Sequence, residues 1–145
     1  MSRIEELQQE AIQLLQDLIN TPSLSSEEDQ TAAIIKQWLA KHGVSCKQQQ
    51  NNVYAVNKHE DPSKPYLLLN SHHDTVLPNS GYTRDPYKAA IENGKLYGLG
   101  SNDAGGALVC LLATFVYFYE QEDMAYNLVV AATAEEETSG DHGLN

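Results

Sequence analysis

Two uninterrupted apolar runs, KPYLLLNS at residues 64–71 and NLVVAATA at residues 127–134, stand either side of a longer one, ALVCLLATFVYFY at residues 107–119. The outer two lack the polar alternation of a strand that faces water on one side, so they read as strands covered on both faces. The middle run follows a glycine-rich turn, GLGSNDAGG, and is long enough for a strongly apolar helix over about Ala107 to Tyr119. Strand, helical crossover and strand form the unit from which parallel sheets are built, which restricts the chain to an α/β architecture.

The flanking segments extend this frame. Ile4, Leu7, Ala11, Leu14, Leu15 and Leu18 recur at helical spacing, and the proline of NTPS stops that helix. A second helix is expected from Ser25, with Glu28 completing a capping box, Ile34, Ile35, Trp38 and Leu39 as its buried stripe, and Gly43 as its end. VSCKQQ and NVYAVN read as short strands joined through the polar turn QQQNN. YKAAIENGKLYG reads as a hairpin, because Asn93-Gly94 takes the positive φ values of a tight turn. Helices first, then strands with a helical crossover, predict a three-layer α/β/α sandwich with a mixed, largely parallel sheet. No internal repeat is visible in the sequence.

At 145 residues and 41% hydrophobic content the chain fits one domain with a sizeable core. Nine Lys plus Arg against twenty Asp plus Glu leave a net charge of −11. Nucleic acids and anionic membranes need a basic face, so neither is expected as a partner; a cationic ligand or a metal suits the chain better. The first twenty residues alternate charge with aliphatics and lack the apolar core of a signal peptide, and the run at residues 107–119 is too short to span a bilayer. Cys46 and Cys110 are far apart and sit among apolar neighbours; they read as reduced core cysteines of a cytoplasmic protein.

Three clusters of ionisable groups fall where ligands of open α/β sheets collect, beyond the carboxyl ends of strands. His72 and Asp74 follow LLLNS, Asp103 lies in the glycine-rich turn, and Glu135, Glu136 and Glu137 follow the last strand. In an extended segment alternate side chains share a face, so His72 and Asp74 point together while His73 points away. That spacing suits an imidazole metal ligand steadied by a carboxylate, and equally suits a hydrogen-bonded structural histidine. Asp103 is a candidate ligand or a cap for the following helix, a role open also to Ser101 and Asn102. Three consecutive glutamates are a solvated acidic loop or, beside divalent cations, a site where one carboxylate ligates and its neighbour moves a proton. Imidazole with carboxylate is a donor set that zinc accepts.

The segments LLLNSHHDTV, GKLYGLGSNDAGGAL and AATAEEETSGDHG, in this order, resemble the di-zinc amidohydrolases and metallopeptidases that include acetylornithine deacetylase, succinyl-diaminopimelate desuccinylase, aminoacylase and carboxypeptidase G. The resemblance implies that His72 ligates one metal, that Asp103 bridges two and that Glu137 ligates the second. It implies further that Asp74 orients or tunes His72 and that Glu136 is the general base. The following TSG aligns with the family's glycine turn and selects Glu136 and Glu137 over Glu135 and Glu136. A cis peptide is expected after Asp103. Where relatives usually read GRG this chain has Gly98-Leu99-Gly100, and Ala104-Gly105 replaces the common Met-Lys.

By the same resemblance, residues 1–145 are the N-terminal portion of a zinc-hydrolase catalytic domain. The lid and dimerisation domain, the C-terminal catalytic segment and two further ligands are expected beyond Asn145, the chain as given being a fragment, inactive by itself. The implied activity of the intact protein is hydrolysis of the amide bond of an N-acyl amino acid, with acetylated or succinylated ornithine or citrulline as the favoured substrates. A dipeptidase or aminopeptidase activity is the alternative within the family, and a non-catalytic fragment the alternative outside it. The implied cofactor is two Zn2+ per site, with Co2+ as a substitute, and the implied assembly is a cytoplasmic homodimer when intact.

Overall fold

The computed structural model describes residues 1–143; the last two residues of DHGLN lie outside them. Helix α1 spans Arg3–Ile19 and buries Leu7, Ala11, Leu14, Leu15, Leu18 and Ile19, while Ile4 at its start is exposed. Its first turn is closed by a capping box in which the Ser2 side chain accepts from the Glu5 N–H and the Glu5 carboxylate accepts from the Ser2 N–H. Helix α2 spans Asp29–Lys41 and ends with Gly43 in the left-handed region at φ 72. It starts later than Ser25: the Ser25 hydroxyl donates instead to the Asp74 carboxylate at 2.7 Å, a charged acceptor stronger than a backbone group.

Strands β1 (Lys47–Gln49), β2 (Asn52–Val56), β3 (Tyr66–His72) and β6 (Asn127–Thr133) form one sheet in the order β1-β2-β6-β3. The expected hairpin is β4 (Ala90–Glu92) and β5 (Lys95–Tyr97), turning through Asn93 at φ 51 and Gly94 at φ 75. Helix α3 (Gly106–Phe118) is the crossover between β3 and β6, which run parallel over seven residue pairs. The sheet is mixed, with a smaller parallel share than expected, since β1–β2 and β2–β6 are antiparallel. Gln48, Gln49 and Asn52 of the polar tract belong to the strands, and the two-residue turn left between β1 and β2, Gln50-Asn51, allows only an antiparallel return there.

Register places Val53, Ala55, Leu128, Val130 and Ala132 on one face of the sheet, and all three helices pack there in a single core with Leu14, Ile35, Leu39, Leu108, Leu112 and Phe115. Each of the buried Leu, Ile, Val and Phe side chains among them contributes about 1.5–3 kcal/mol relative to exposure. Three further expectations change. The α/β class and the mixed sheet hold, but among the described residues the helices share one face, giving two layers where three were expected. The start of β3 is not covered on both faces: Tyr66, Leu67 and Leu68 are 52%, 45% and 48% exposed, because β3 is an edge strand among the described residues. Cys110 is exposed on the outer side of α3 and is not a core cysteine, whereas Cys46 is half-buried and packs against the edge of the core. The stretch Ser101–Phe118 is apolar enough to cross a membrane by composition. Its regular part, the 13 residues of α3, is only about 20 Å long and buries Leu108, Leu112 and Phe115 against the core.

Candidate metal centre

Strand β3 ends at His72, and the parallel strand β6 ends beside it, with His72 opposite Thr133. Both therefore deliver the loops that follow them to the same edge of the sheet. The third contribution comes from the turn at Ser101–Gly105 that leads into α3. This turn is tight enough to lie against α1: a Cβ on Gly105 would come within 2.7 Å of both the Gly100 carbonyl and Leu15, and Gly100 itself takes φ 75. Asp103 and Ala104 leave helical geometry, and the peptide between them is cis as expected.

Three side chains meet at this edge. One ligating atom from each of His72, Asp103 and Glu137 lies within 4.8 Å of the others. His72 Nε2 is 3.2 Å from Asp103 Oδ1 and 3.7 Å from Glu136 Oε2. Asp103 projects from the rim with 77% of its side chain exposed, and His72 is 8% exposed. The cluster is open to solvent on one side and anchored in the fold on the other.

The anchor is Asp74, fully buried. Its Oδ1 lies 3.2 Å from His72 Nδ1, and its carboxylate accepts the N–H groups of Glu136 at 3.2 Å and Glu137 at 3.0 Å as well as the Ser25 hydroxyl. One carboxylate thus orients the imidazole and fixes the backbone that carries two of the acids. Burial pushes Asp74 up, but His72, Ser25 and the two N–H donors outweigh it and hold the group well below the ordinary carboxylate range. In return the Asp74 hydrogen bond raises His72 to about 9, against burial, which lowers it. Glu137 is raised by burial and by the negative charge of Asp103. A divalent cation would relieve that repulsion. The donor set of one Nδ1-steadied imidazole and facing carboxylates fits zinc or a similar ion.

The remaining residues separate clearly. His73 points to the opposite side, as its position predicts: its Nε2 donates to the Asn51 carbonyl at 2.9 Å and its Nδ1 meets the Thr31 hydroxyl at 2.8 Å. Burial lowers its pKa, and it takes no part in the cluster. Glu135 adopts φ 57, is buried, and accepts the His142 N–H, leaving Glu136 and Glu137 as the two glutamates that face the site. Sequence reasoning missed the supports beneath the cluster. Ser23 donates to the His73 carbonyl and accepts the Thr75 N–H, and the buried Glu28 accepts the Glu135 N–H. The spacing of Ser25 and Glu28 was a signal, but it matched a helix cap equally well.

Residues 68–145 match peptidase family M20/M25/M40. Succinyl-diaminopimelate desuccinylase of Rickettsia bellii (strain OSU 85-389) is 30% identical over 140 residues, which cover 89% of this chain and 35% of that protein. Among solved structures, the M20 family metallo-carboxypeptidase Sso-CP2 from Sulfolobus solfataricus superposes with a TM-score of 0.73 at 27% identity, covering 89% of this chain and 31% of that one. The Bacillus subtilis YXEP protein, a dinuclear metal binding peptidase from the M20 family, gives a TM-score of 0.70 at 18% identity over 96% of this chain and 38% of its own. The chain spans about a third of the length of the relatives it matches. The family match takes in more than half of the sequence, including all three segments that line the cluster from His72 onward, and so the chain belongs to peptidase family M20/M25/M40.

Proposed function

We propose that these residues are the N-terminal portion of the catalytic domain of a metal-dependent amidohydrolase that cleaves the amide bond of an N-acyl amino acid. The observation that carries this reading is the convergence of His72, Asp103 and Glu137 from three separate loops on one sheet edge. His72 offers Nε2 as a ligand because Asp74 occupies Nδ1, Asp103 offers a carboxylate to one or two ions, and Glu137 offers another. Divalent metal bound there polarises an amide carbonyl and makes water more acidic, with zinc the favoured ion and cobalt a substitute.

Glu136 is the proton carrier. It lies beside the ligands without being needed as one, and 60% of its side chain is exposed toward the space a substrate would enter. It takes one proton from the attacking water as the oxygen bonds to the carbonyl carbon, and gives that proton to the nitrogen as the carbon–nitrogen bond breaks. The water's second proton leaves the new carboxyl group and is taken up by the released amine, so the products are a carboxylate and an ammonium group. Succinylated diaminopimelate, the substrate class in the name of the Rickettsia relative, and acetylated ornithine are the first two compounds to assay.

The test uses the enzyme encoded with its full catalytic domain. Glu136→Gln should lower turnover by at least about 10²-fold, the usual worth of a positioned acid–base group, with bound metal unchanged. Retained turnover removes Glu136 from this role, and metal content unaffected by His72→Ala removes the metal centre altogether.

A further inference from the structure

Glu28 is fully withdrawn from solvent, and no lysine or arginine pairs with it among the described residues. Its partners are neutral donors from three separate segments. Oε1 accepts the Ser26 N–H at 2.9 Å and the Glu135 N–H at 3.0 Å, and Oε2 accepts the Asn51 side-chain amide at 2.9 Å. Every partner donates, so the position calls for a group that only accepts, which is what a carboxylate is. Buried without a counter-ion, such a group is retained only where its hydrogen bonds are complete.

What those bonds hold is the start of the glutamate loop. The N–H of Glu135 ends on Glu28, and the N–H groups of Glu136 and Glu137 end on Asp74. Three consecutive donors are thereby tied to two fully buried carboxylates. Glu135 is held at φ 57, a conformation that turns its own side chain inward and sends the next two outward. We propose that Glu28 is a positioning residue for Glu136 and Glu137, setting through the Glu135 N–H where the loop leaves β6; the inference rests on the reading of that pair as proton carrier and ligand.

The competing role is a helix cap, since Glu28 occupies the residue before α2, yet its side chain makes no bond to that helix. The two roles differ in what they require. A cap is served as well or better by aspartate, whereas positioning needs the extra methylene, about 1.5 Å of reach. Glu28→Asp therefore separates them, and Glu28→Gln, with the full reach and a carbonyl oxygen for the two N–H groups, is the conservative rescue: its NH2 replaces Oε2 opposite Asn51, whose amide turns over to accept with its own oxygen.

Two readouts are taken on wild type and both variants: amide hydrogen exchange residue by residue, and Co2+ titration followed by visible absorption. In Glu28→Asp the amides of Glu135, Glu136 and Glu137 should exchange about tenfold faster or more, and Co2+ should bind about tenfold more weakly, the scale of one lost hydrogen bond to a charged group. The amides of α1 and α3 should keep their wild-type rates, and Glu28→Gln should stay within about threefold of wild type in the loop. Loop exchange in Glu28→Asp equal to wild type overturns the proposal. So does a loss spread evenly over all elements, or a Glu28→Gln loop as loose as that of the aspartate variant. If wild type takes up no Co2+ but the loop loosens as described, the positioning stands and the metal reading falls. If wild type binds Co2+, His72→Ala abolishes binding and Glu28→Asp changes neither readout, the metal reading stands and the positioning falls.

Discussion

The two nitrogens of His72 face opposite demands. Nδ1 lies against the buried Asp74, and Nε2 lies against Asp103 and Glu136 at the open rim. Without metal, that company keeps the ring protonated up to about pH 9. The folded pKa lies above the ordinary 6.5, so His72 contributes stability that is complete below about pH 6.5 and is lost as the pH rises through about 9. Asp74 behaves in the opposite sense: its folded pKa is depressed, so its contribution is present above about pH 4 and disappears in acid. Metal-free chain should lose roughly 3 kcal/mol of this pair's contribution between pH 6 and pH 10. Urea unfolding at the two pH values measures it, and Asp74→Asn should flatten the difference between them. An equal drop in wild type and Asp74→Asn contradicts the assignment.

At the scale of elements, the turn at Ser101–Gly105 is the most constrained piece of backbone in the site. Gly100 sits at φ 75 and a Cβ there would come within 2.7 Å of Thr75 Cγ2. Gly100→Ala should destabilise the chain by roughly 1–3 kcal/mol and displace Asp103, read as a lower denaturation midpoint together with weaker metal binding. This element also marks how far the sequence can be read. The apolar runs, the hairpin at Asn93-Gly94 and the opposite facing of His72 and His73 follow from periodicity and turn chemistry, which are local, and the structure agrees with each. The start of α2 does not follow, because Ser25 and Glu28 have cap spacing whether they bond to the helix or to loops 49 and 107 residues away. The exposure of Tyr66, Leu67 and Leu68 is likewise invisible locally: an apolar strand reads the same at the centre of a sheet and at its edge. The meeting of His72, Asp103 and Glu137 needed the parallel pairing of β3 with β6, and only the order of the three segments hinted at it.

For the molecule as a whole, a net charge of −11 with three carboxylates converging on one rim makes the metal-free state self-repelling. An ion that binds only the folded chain stabilises it in proportion to its concentration, by about 2.7 kcal/mol at a hundredfold excess over Kd. Zinc at that excess should therefore raise the melting temperature by roughly 5–10 °C for a chain of this size, and His72→Ala should abolish the rise. Calorimetry with and without zinc decides it; an equal rise in both proteins places the ion elsewhere. The segment joining α1 to α2 bears on the same rim although it donates no ligand to it. Ser23 holds the backbone at His73 and Thr75, Ser25 holds Asp74, and Glu28 holds Glu135. A connector of this kind has lost the usual freedom of a linker to lengthen or shorten. Adding or deleting a single residue between Ser23 and Glu28 throws three anchorages out of step at once, so natural variation there should take the form of substitutions, not changes in length.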